Sequence, residues 1–349
     1  MSEPSTSELA LVTGGSGYFG SLLVRELRAL GRPVRVLDLV DADDRPGDVE
    51  FVAGDIRSPQ AVRRAVDGVD VVYHNVAQVP MARDRALFES VNGGGTNILL
   101  SQCEDAGVAK VVYTSSSAVF GIPASNPVYP DTPPAPVEAY GRAKYDGELL
   151  CRAAVTRGLD VSIVRPRTIL GLGRLGIFGI LFDWVADGAA VPVLGRGDNV
   201  YQFVHAHDLA TACILAAQRS GPGVYNIGAE QFGTMREALQ HLCDYAGTGA
   251  HVRSVPAGLT SKAMQASAAL RLTPFAPYHW IMYGKDLWFD VTAARDDLGW
   301  SADYSTDAAF RDSYDWFLDN RSSLAGAQAS RHRSPARQGV LSLAKRILR

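Results

Sequence analysis

The chain has 349 residues, 47% of them hydrophobic, and a formal net charge of −3 at pH 7, so its composition suits a globular protein and gives no attraction toward nucleic acid. The four cysteines are far apart and form no C-x-x-C pair, which argues against a disulfide framework and against a bound metal. No segment is apolar enough to span a membrane, and the first eight residues lack the features of a signal peptide. We therefore expect a cytoplasmic protein.

A glycine-rich loop follows the first predicted strand. Residues 9–13 form a buried-strand run that leads directly into Gly14-Gly-Ser-Gly-Tyr-Phe-Gly20, and a helical pattern follows. Glycines at 14, 17 and 20 permit a tight turn and let backbone N–H groups approach a pyrophosphate at the helix N-terminus. Strand, glycine loop and helix in this order predict a dinucleotide site.

Acidic residues follow the next two predicted strands. Asp38 ends the strand at 33–37, where a carboxylate can accept hydrogen bonds from the adenosine ribose hydroxyls. It would repel a 2′-phosphate, and no arginine immediately follows it, so the sequence predicts NAD rather than NADP. After the third strand, at 49–53, Asp55 is placed to reach the adenine amino group while Ile56 covers the ring.

Strand and helix patterns continue to alternate through the first half of the chain. A fourth strand at 69–73 precedes His74, which we interpret as a packed structural histidine. A long helix is predicted over 84–106, with a Gly93–Gly95 step that permits a kink or close packing. After a fifth strand at 110–114, the alternation predicts an α/β protein with a doubly wound parallel sheet, the Rossmann fold, which binds ligands beyond the carboxyl ends of its strands.

Tyr140 and Lys144 are the candidate catalytic pair. Residues four apart share one helix face. A phenol with a pKa near 10 must lose roughly 3 units, about 4 kcal/mol, to act as a base at neutral pH, and a lysine ammonium one turn away supplies the necessary positive charge. The spacing alone also fits a half-buried tyrosine beside a solvated lysine. The glycine loop and the three serines at 115–117, at the end of the fifth strand, favour the catalytic interpretation.

A longer series of motifs occurs in one order across residues 9 to 318. It consists of Thr13-Gly14-x-x-Gly17-x-x-Gly20, Asp38, Gly54-Asp55, Val91-Asn92, Tyr113-Thr-Ser-Ser-Ser-Ala-Val-Phe-Gly121, Tyr140-x-x-x-Lys144, Arg165-Pro166, Phe203-Val-His205 with Asp208, Tyr225-Asn-Ile-Gly228 and Leu298-Gly-Trp300. This ordered set resembles the extended short-chain dehydrogenase/reductase family, in its NAD-dependent epimerase/dehydratase group.

The resemblance implies a role for each motif residue. Tyr140 would act as acid and base, Lys144 would lower the tyrosine pKa and hold the nicotinamide ribose, and Ser116 would orient the substrate oxygen, with Ser117 as the near alternative. The implied cofactor is NAD, and its predicted contacts are Gly14, Gly17, Tyr18, Phe19, Gly20, Asp38, Asp55, Ile56, Asn75, Ala77, Asn92, Tyr140, Lys144 and Arg165.

The predicted organisation has two lobes and a tail. A dinucleotide-binding domain covers 7–168, and 200–229 returns to it. A smaller mixed C-terminal lobe, at 169–199 and 230–318, faces a small-molecule substrate. The tail, at 319–349, is predicted to be flexible and basic, because from residue 321 onward it carries seven Arg or Lys residues and no acid.

The tail itself divides into two parts. Residues 320–339 read as a disordered linker, whereas 340–349 predict a short basic amphipathic helix. Such a helix can lie on an anionic membrane surface, which would place the protein at the inner face of a membrane, or it can dock on its own domain. The family resemblance also suggests a homodimer that pairs the helices near 84–106 and 138–157.

The substrate is less well defined, because the family pattern stops matching. Sugar-nucleotide members usually carry an arginine, which grips a diphosphate, where this chain has Tyr201, and many carry an asparagine where it has Thr168. Loss of a bidentate phosphate contact is not conservative, although Arg167, Arg174 or Arg196 could substitute. Ser117, Thr168 and Tyr201 are the predicted substrate contacts.

Two functions remain open from the sequence. One is a nucleotide-sugar epimerase or dehydratase, in which NAD is reduced and reoxidised within one turnover. The other resembles the 3β-hydroxysteroid dehydrogenase branch, which oxidises or reduces a hydrophobic alcohol or ketone with net cofactor turnover. The aromatic segment at 264–289 would line an apolar pocket for such a substrate, or it is ordinary core or a dimer face. A dinucleotide sensor without activity is disfavoured by the intact Ser116, Tyr140 and Lys144.

Overall fold

A seven-stranded parallel sheet forms the centre of the protein. The computed structural model describes residues 8–77, 85–174, 176–270, 272–273, 277–324 and 345, except the side chains at 85, 88 and 277–279. In spatial order, the sheet consists of β11 (Gly223–Ile227), β6 (Val161–Pro166), β5 (Lys110–Thr114), β4 (Val71–His74), β1 (Ala10–Thr13), β2 (Val34–Asp38) and β3 (Glu50–Ala53). All neighbouring strands are parallel, which confirms the predicted sheet.

Helices cover both faces of this sheet. The helices are α1 (Tyr18–Ala29), α2 (Pro59–Val66), α3 (Arg85–Phe88), α4 (Thr96–Ala106), α5 (Ala139–Thr156), α6 (Ile177–Ala186), α7 (Ala206–Gln218), α8 (Met235–Ala246), α9 (Ala257–Ala269), α10 (Pro277–Met282), α11 (Thr292–Leu298) and α12 (Thr306–Leu324). Successive strand residues point to opposite faces, so Ala10 and Val12 pack with α1 and α7, whereas Leu11 packs with α2 and α4. Because both faces are buried, the strands read as continuous apolar runs.

The helix predicted over 84–106 is divided into three parts. A π-helical segment, Glu89–Gly95, separates α3 from α4 and contains the glycine step. A Cβ atom on Gly95 would lie 2.6 Å from Cγ2 of Ile56, closer than real Cβ contacts allow. The predicted close packing at this step is therefore confirmed, and it presses the π-helical segment against the loop that follows β3.

In the part of the chain that the structure describes, six short strands pair outside the central sheet. β7 (Thr168–Leu170) lies parallel to β10 (Phe203–His205), and β8 (Val191–Leu194) lies parallel to β13 (Val252–Val255). β9 (Val200–Tyr201) lies antiparallel to β12 (Gly233–Thr234). These strands surround a separate aromatic core that includes Phe178, Phe182, Phe203, Phe310 and Tyr314. Between them the chain returns to the main sheet as β11, an arrangement compatible with the predicted two lobes, whose boundaries stay a prediction.

Part of the aromatic segment at 264–289 belongs to the core. Met282 and Phe289 are 1% and 3% exposed and pack in one cluster with Phe120. Phe275 and the side chain of Tyr278 lie outside the described part of the chain. The described residues of this segment therefore connect the second lobe to the loop that follows β5.

The C-terminal helix is longer than the sequence predicts. α12 continues to Leu324, so the predicted start of the tail at 319 is wrong. Within this last part of the helix, the side-chain Nδ2 of Asn320 donates a hydrogen bond of 2.9 Å to the Trp316 carbonyl oxygen. The rest of the predicted linker and amphipathic helix lies outside the described residues, with the exception of Lys345. Among the helices that the structure describes, none has both the length and the apolar character to cross a bilayer.

Lys345 is bound to the second lobe. Its Nζ lies 2.5 Å from Oδ2 of Asp183, on the last turn of α6, and 2.8 Å from Oδ2 of Asp187, the residue that follows α6. Arg321 on α12 pairs with the same two carboxylates. Hydrogen bonds from Lys345 and Arg321 lower the pKa of Asp187 to about 2. This point of the tail is thus held against its own domain.

Candidate active site

The glycine loop is built so that backbone, rather than side chains, faces the start of α1. Gly14 has a φ of 71°, in the left-handed region that favours glycine. A Cβ on Gly20 would lie 2.1 Å from the Gly14 carbonyl oxygen, so only glycine allows this approach of helix to loop. Gly17 caps the helix without a side-chain hydrogen bond. The N–H groups of the first turn therefore suit an anion such as a pyrophosphate.

Tyr18 and Phe19, the predicted contacts between these glycines, are mostly buried in the core. The Tyr18 hydroxyl lies 3.5 Å from the carbonyl oxygen of Leu170 on β7. Its ring also lies under the guanidinium of Arg174, at 5.3 Å from the ring centroid. Tyr18 thus joins the first helix to the second lobe, and a contact with the cofactor stays a prediction.

Asp38 lies at the end of β2, directly beside the glycine loop. Its carboxylate accepts hydrogen bonds from the N–H groups of Ser16, at 3.1 Å, and Leu39, at 2.7 Å. Burial raises the pKa of Asp38 above its usual value, while these backbone bonds oppose the rise. The next arginine along the chain, Arg45, binds Asp41 with both Nε and Nη2, at 2.7 and 3.0 Å. The local charges thus suit a ribose diol better than a 2′-phosphate, and the loop and the carboxylate together fit NAD.

Asp55 and Ile56 take up local contacts after β3. The Asp55 carboxylate is bound by the Arg57 side chain, with Nε at 2.9 Å and Nη2 at 2.5 Å, and this pairing lowers the pKa of Asp55. Ile56 is buried against Gly95. The predicted contacts of these two residues with adenine stay predictions.

Polar groups also line the ends of β4 and β5. Asn75 donates its N–H to Thr13 Oγ1 at 3.2 Å and accepts from Thr114 Oγ1 at 2.6 Å, while its buried Nδ2 has no partner in the described protein. Ala77 follows on the same loop. Asn92, in the π-helical segment, is 2% exposed, and its carbonyl accepts from Thr96 Oγ1 at 2.7 Å. Asn75 and Ala77 lie at the carboxyl edge of the sheet, where a dinucleotide would pass.

His74 is a structural residue, as predicted. Its Nδ1 lies 2.8 Å from Thr13 Oγ1 and its Nε2 lies 2.9 Å from Thr96 Oγ1, so both ring nitrogens have partners. The ring is fully buried, and burial lowers its pKa to about 3. A neutral imidazole with both nitrogens bonded links β1, β4 and α4.

The candidate catalytic pair, Tyr140 and Lys144, lies in the first two turns of α5. Glu138 caps this helix and accepts from the N–H groups of Tyr140, at 2.8 Å, and Gly141, at 2.5 Å. Tyr140 is half-buried, whereas Lys144 is 3% exposed. The Lys144 ammonium donates to the Thr114 carbonyl at 2.7 Å, and burial lowers its pKa to about 8. A lysine at this pKa is still mostly protonated at neutral pH, as an acid/base tyrosine requires.

The serine run lies beside this helix. Ser116 ends the extended segment after β5 and caps a 3₁₀ helix, Ser117–Phe120, with its Oγ accepting from Ala118 N at 3.2 Å. A Cβ on Gly141 would lie 2.4 Å from the Ala118 carbonyl oxygen, so the backbone next to Tyr140 packs closely on this 3₁₀ helix. The structure thus brings the serine loop and the start of α5 together. The choice of Ser116 over Ser117 stays a prediction.

A buried ion pair, which sequence reasoning missed, supports the serine run. Glu148 is 0% exposed, and its carboxylate accepts from Ser115 Oγ at 2.6 Å. Arg165 on β6 binds the same carboxylate at two points, Nε to Oε1 at 2.8 Å and Nη2 to Oε2 at 2.7 Å, and its Nη1 donates to the Pro130 carbonyl. Arg165 thus has a structural role, and its predicted cofactor contact stays a prediction. The available signal was the position of Glu148, one turn after Lys144 on the same helix face.

The predicted substrate residues Thr168 and Tyr201 lie together. Thr168 Oγ1 and the Tyr201 hydroxyl are 2.9 Å apart. Tyr201 is 0% exposed, with its ring 5.0 Å from that of Phe203 and 5.8 Å from that of Tyr283. Two of the arginines that could replace the missing diphosphate-binding arginine differ in their surroundings. Arg196 is exposed beside Asp198, whereas Arg167 is buried against the Tyr201 ring.

The glycine loop, the acid after β2 and the Tyr–Lys pair beside a serine loop define a dinucleotide-dependent oxidoreductase of the doubly wound α/β class. The family model "NAD dependent epimerase/dehydratase family" matches residues 10–228, more than half of the chain. The protein belongs to this family of NAD-dependent enzymes. The predicted family and its cofactor, NAD, are thereby confirmed.

Several known proteins resemble this chain. An uncharacterized protein, y4nG, of Sinorhizobium fredii is 51% identical over 97% of this chain and 86% of its own length. Sterol demethylase protein B of Methylococcus capsulatus is 32% identical over 88% of this chain and 98% of its own length. Among solved structures, the dTDP-glucose 4,6-dehydratase DesIV of Streptomyces venezuelae, with NAD and TYD bound, matches with a TM-score of 0.72 and 29% identity, covering 90% of this chain and 98% of that one.

Proposed function

We propose that the protein oxidises a secondary alcohol, or reduces the corresponding ketone, on a hydrophobic substrate such as a sterol or another lipid, with net turnover of NAD. The observation that carries this proposal is Tyr201. At the position where sugar-nucleotide members usually carry a diphosphate-binding arginine, a fully buried ring packs between Phe203 and Tyr283 and ties its hydroxyl to Thr168. The likeness to a sterol demethylase protein over 98% of that protein's length supports the same conclusion.

The chain's own residues handle the proton in this proposal. The Tyr140 phenolate accepts the hydroxyl proton of the alcohol, Lys144 supplies positive charge one turn away, and Ser116 holds the substrate oxygen, with Ser117 as the alternative. NAD, when bound, would accept the hydride from the carbon that carries this hydroxyl group. A positioned acid/base group contributes on the order of 10²–10⁴-fold to the rate. Thr114 fixes the Lys144 ammonium through its carbonyl, which keeps the charge close to the serine loop.

The cofactor contacts are proposed from the loop outward. The N–H groups after Gly17 hold the pyrophosphate, and Asp38 accepts from the adenosine ribose. Asn75 and Ala77 lie along the edge that the dinucleotide follows. The buried, unpartnered Nδ2 of Asn75 supports this placement, because a buried donor without an acceptor is costly.

A nucleotide-sugar epimerase or dehydratase is the second candidate. It is supported by the likeness to DesIV, which covers 98% of that chain. In this case the diphosphate must be held by a residue other than Tyr201.

A paired screen separates the two candidates. The purified protein is given nucleotide sugars and hydrophobic alcohols or ketones, and both product and NADH are measured. Our proposal expects stoichiometric NADH formation with a hydrophobic alcohol. Product from a nucleotide sugar without a net change in NADH would replace it with the second candidate.

We also propose a homodimer that pairs the helices near residues 84–106 and 138–157, the pairing that the family resemblance suggests. Light scattering tests this state, and a monomeric mass would contradict it.

For the tail we propose docking on its own domain rather than membrane contact, because Lys345 binds Asp183 and Asp187. Deleting residues 336–349 should leave the membrane-associated fraction unchanged, and a decrease in this fraction would favour membrane contact.

A further inference from the structure

Arg167 is a buried cation whose guanidinium donors are unused by the described residues. Its side chain is 1% exposed, and within the described part of the chain its Nε, Nη1 and Nη2 atoms have no hydrogen-bond partner. An ionised guanidinium with five donors is costly to bury without an anion. The only compensation that the described residues offer is aromatic, from the rings of Tyr201 at 4.6 Å and Phe289 at 5.5 Å.

The position of Arg167 connects it with the reacting groups. It directly follows β6, at the carboxyl edge of the sheet where ligands bind in this fold. The next residue, Thr168, is bonded to Tyr201, a predicted substrate contact. On the other side, the Phe289 ring meets Phe120 edge to face at 5.7 Å, and Phe120 ends the 3₁₀ helix that Ser116 caps. Arg167 thus lies between the serine loop and the second lobe.

We propose that Arg167 binds an anionic oxygen group of the substrate, a carboxylate or a phosphate, through its guanidinium donors. Arginine presents its donors as a planar fork that matches such groups bidentately. This inference rests on the proposed function and deepens it: the substrate is a hydrophobic secondary alcohol that also carries an acidic group. The rings of Tyr201 and Phe289 hold the fork in place, so little freedom is lost when the anion binds.

The carboxylate and the phosphate can be distinguished with three probes. They are a 3-hydroxysteroid carboxylic acid, the methyl ester of the same acid, and UDP-glucose as the diphosphate. Binding of each to the NAD-loaded protein is measured by calorimetry, for the unaltered protein, Arg167→Met, Arg167→Lys and the control Arg196→Met. Arg196 is a suitable control because its side chain is 88% exposed.

We expect the unaltered protein to bind the acid at least about tenfold more tightly than the ester, as a charged hydrogen bond implies. In Arg167→Met this ratio should fall to near one through weaker binding of the acid alone, and Arg167→Lys should retain part of it. Arg196→Met should keep the full ratio. Thermal unfolding without substrate should show that Arg167→Met is as stable as the unaltered protein or more stable, because a buried unpaired charge has been removed.

The outcomes separate the two proposals. If the ratio of the affinities for the acid and the ester is the same with and without Arg167, and the affinity for UDP-glucose is also unchanged by the substitution, the anion site is refuted. If UDP-glucose binds and loses affinity in Arg167→Met while neither steroid binds, Arg167 is an anion site but the hydrophobic substrate of the proposed function is wrong. If Arg167→Met unfolds more readily and the binding ratio is unchanged, Arg167 has only a packing role.

Discussion

Replacing Glu148 with glutamine should damage both the stability and the pH profile of the enzyme. Glu148 and Arg165 are paired with side-chain exposures of 0% and 1%, so the change leaves a buried guanidinium without its counter-charge. Removing one partner of such a pair costs about 3–5 kcal/mol. We expect the free energy of unfolding, measured by chemical denaturation, to fall by this amount.

The same change should lower the pKa of Lys144. In the folded protein burial depresses this pKa to about 8, and the negative charge of Glu148 opposes the depression. Without that charge, Lys144 loses its proton at a lower pH. The alkaline limb of the kcat profile, where Tyr140 loses the support of a charged lysine, should therefore begin below about pH 8.

Two further variants make this test specific. Glu104→Gln breaks a pair with Arg157 whose side chains are 26% and 50% exposed, and an exposed pair contributes only about 0–1 kcal/mol. Replacing both Glu148 and Arg165 with apolar residues should restore most of the stability. It should not return the alkaline limb of the kcat profile to its original pH. A loss below about 1 kcal/mol in Glu148→Gln, with an unshifted alkaline limb, would refute the reasoning.

Four shorter predictions follow from the same structure. Tyr140→Phe should abolish turnover while leaving NAD affinity unchanged in a binding titration, and near-normal turnover would remove the acid/base assignment. Gly20→Ala should weaken NAD binding, because its Cβ would meet the Gly14 carbonyl oxygen at 2.1 Å, whereas Gly93→Ala, in open space, should not. The protein should bind NADH more tightly than NADPH, and Asp38→Ala should narrow the difference; the opposite order would contradict the role of Asp38. The unfolding free energy should decrease as pH falls from about 6.5 to about 3, because the unfolded His74 takes up a proton that the buried ring refuses, and a His74→Asn variant should flatten this dependence.

The dinucleotide half of the protein is predictable because its signals are local. Buried parallel strands are recognisable as short apolar runs. Each run ends at a residue whose type is required by the turn that follows it. Gly14 must adopt a positive φ and Gly20 must allow contact with the loop, so both are visible in the sequence. Asp38 is found by counting from the loop. The Tyr140 and Lys144 spacing identifies one helix face, although only the structure shows that Lys144 is held by the Thr114 carbonyl.

The residues that support the site are not predictable in this way. Glu148 and Arg165 meet because α5 packs across β6; the position of Glu148 one turn after Lys144 indicates its helix face but not its partner. The family resemblance predicts a cofactor contact for Arg165, and the sequence gives no sign of its pairing with Glu148. The predicted start of the tail at 319 falls inside α12, where Arg321 pairs with Asp183 and Asp187, residues far earlier in the chain.

The substrate side shows how comparing positions one at a time can mislead. Read alone, Tyr201 removes the cation that grips a diphosphate in sugar-nucleotide relatives. In the folded protein the guanidinium of Arg167 lies 4.6 Å from the centroid of that ring, so a positive charge is present at the same place but comes from the end of a different strand. The guanidinium of Arg167, the residue that follows β6, lies over the rings of Tyr201 and Phe289. A buried cation beside two aromatic rings is what the proposed substrate, an apolar molecule with one acidic group, would meet, so Tyr201 and Arg167 are consistent with a single proposal.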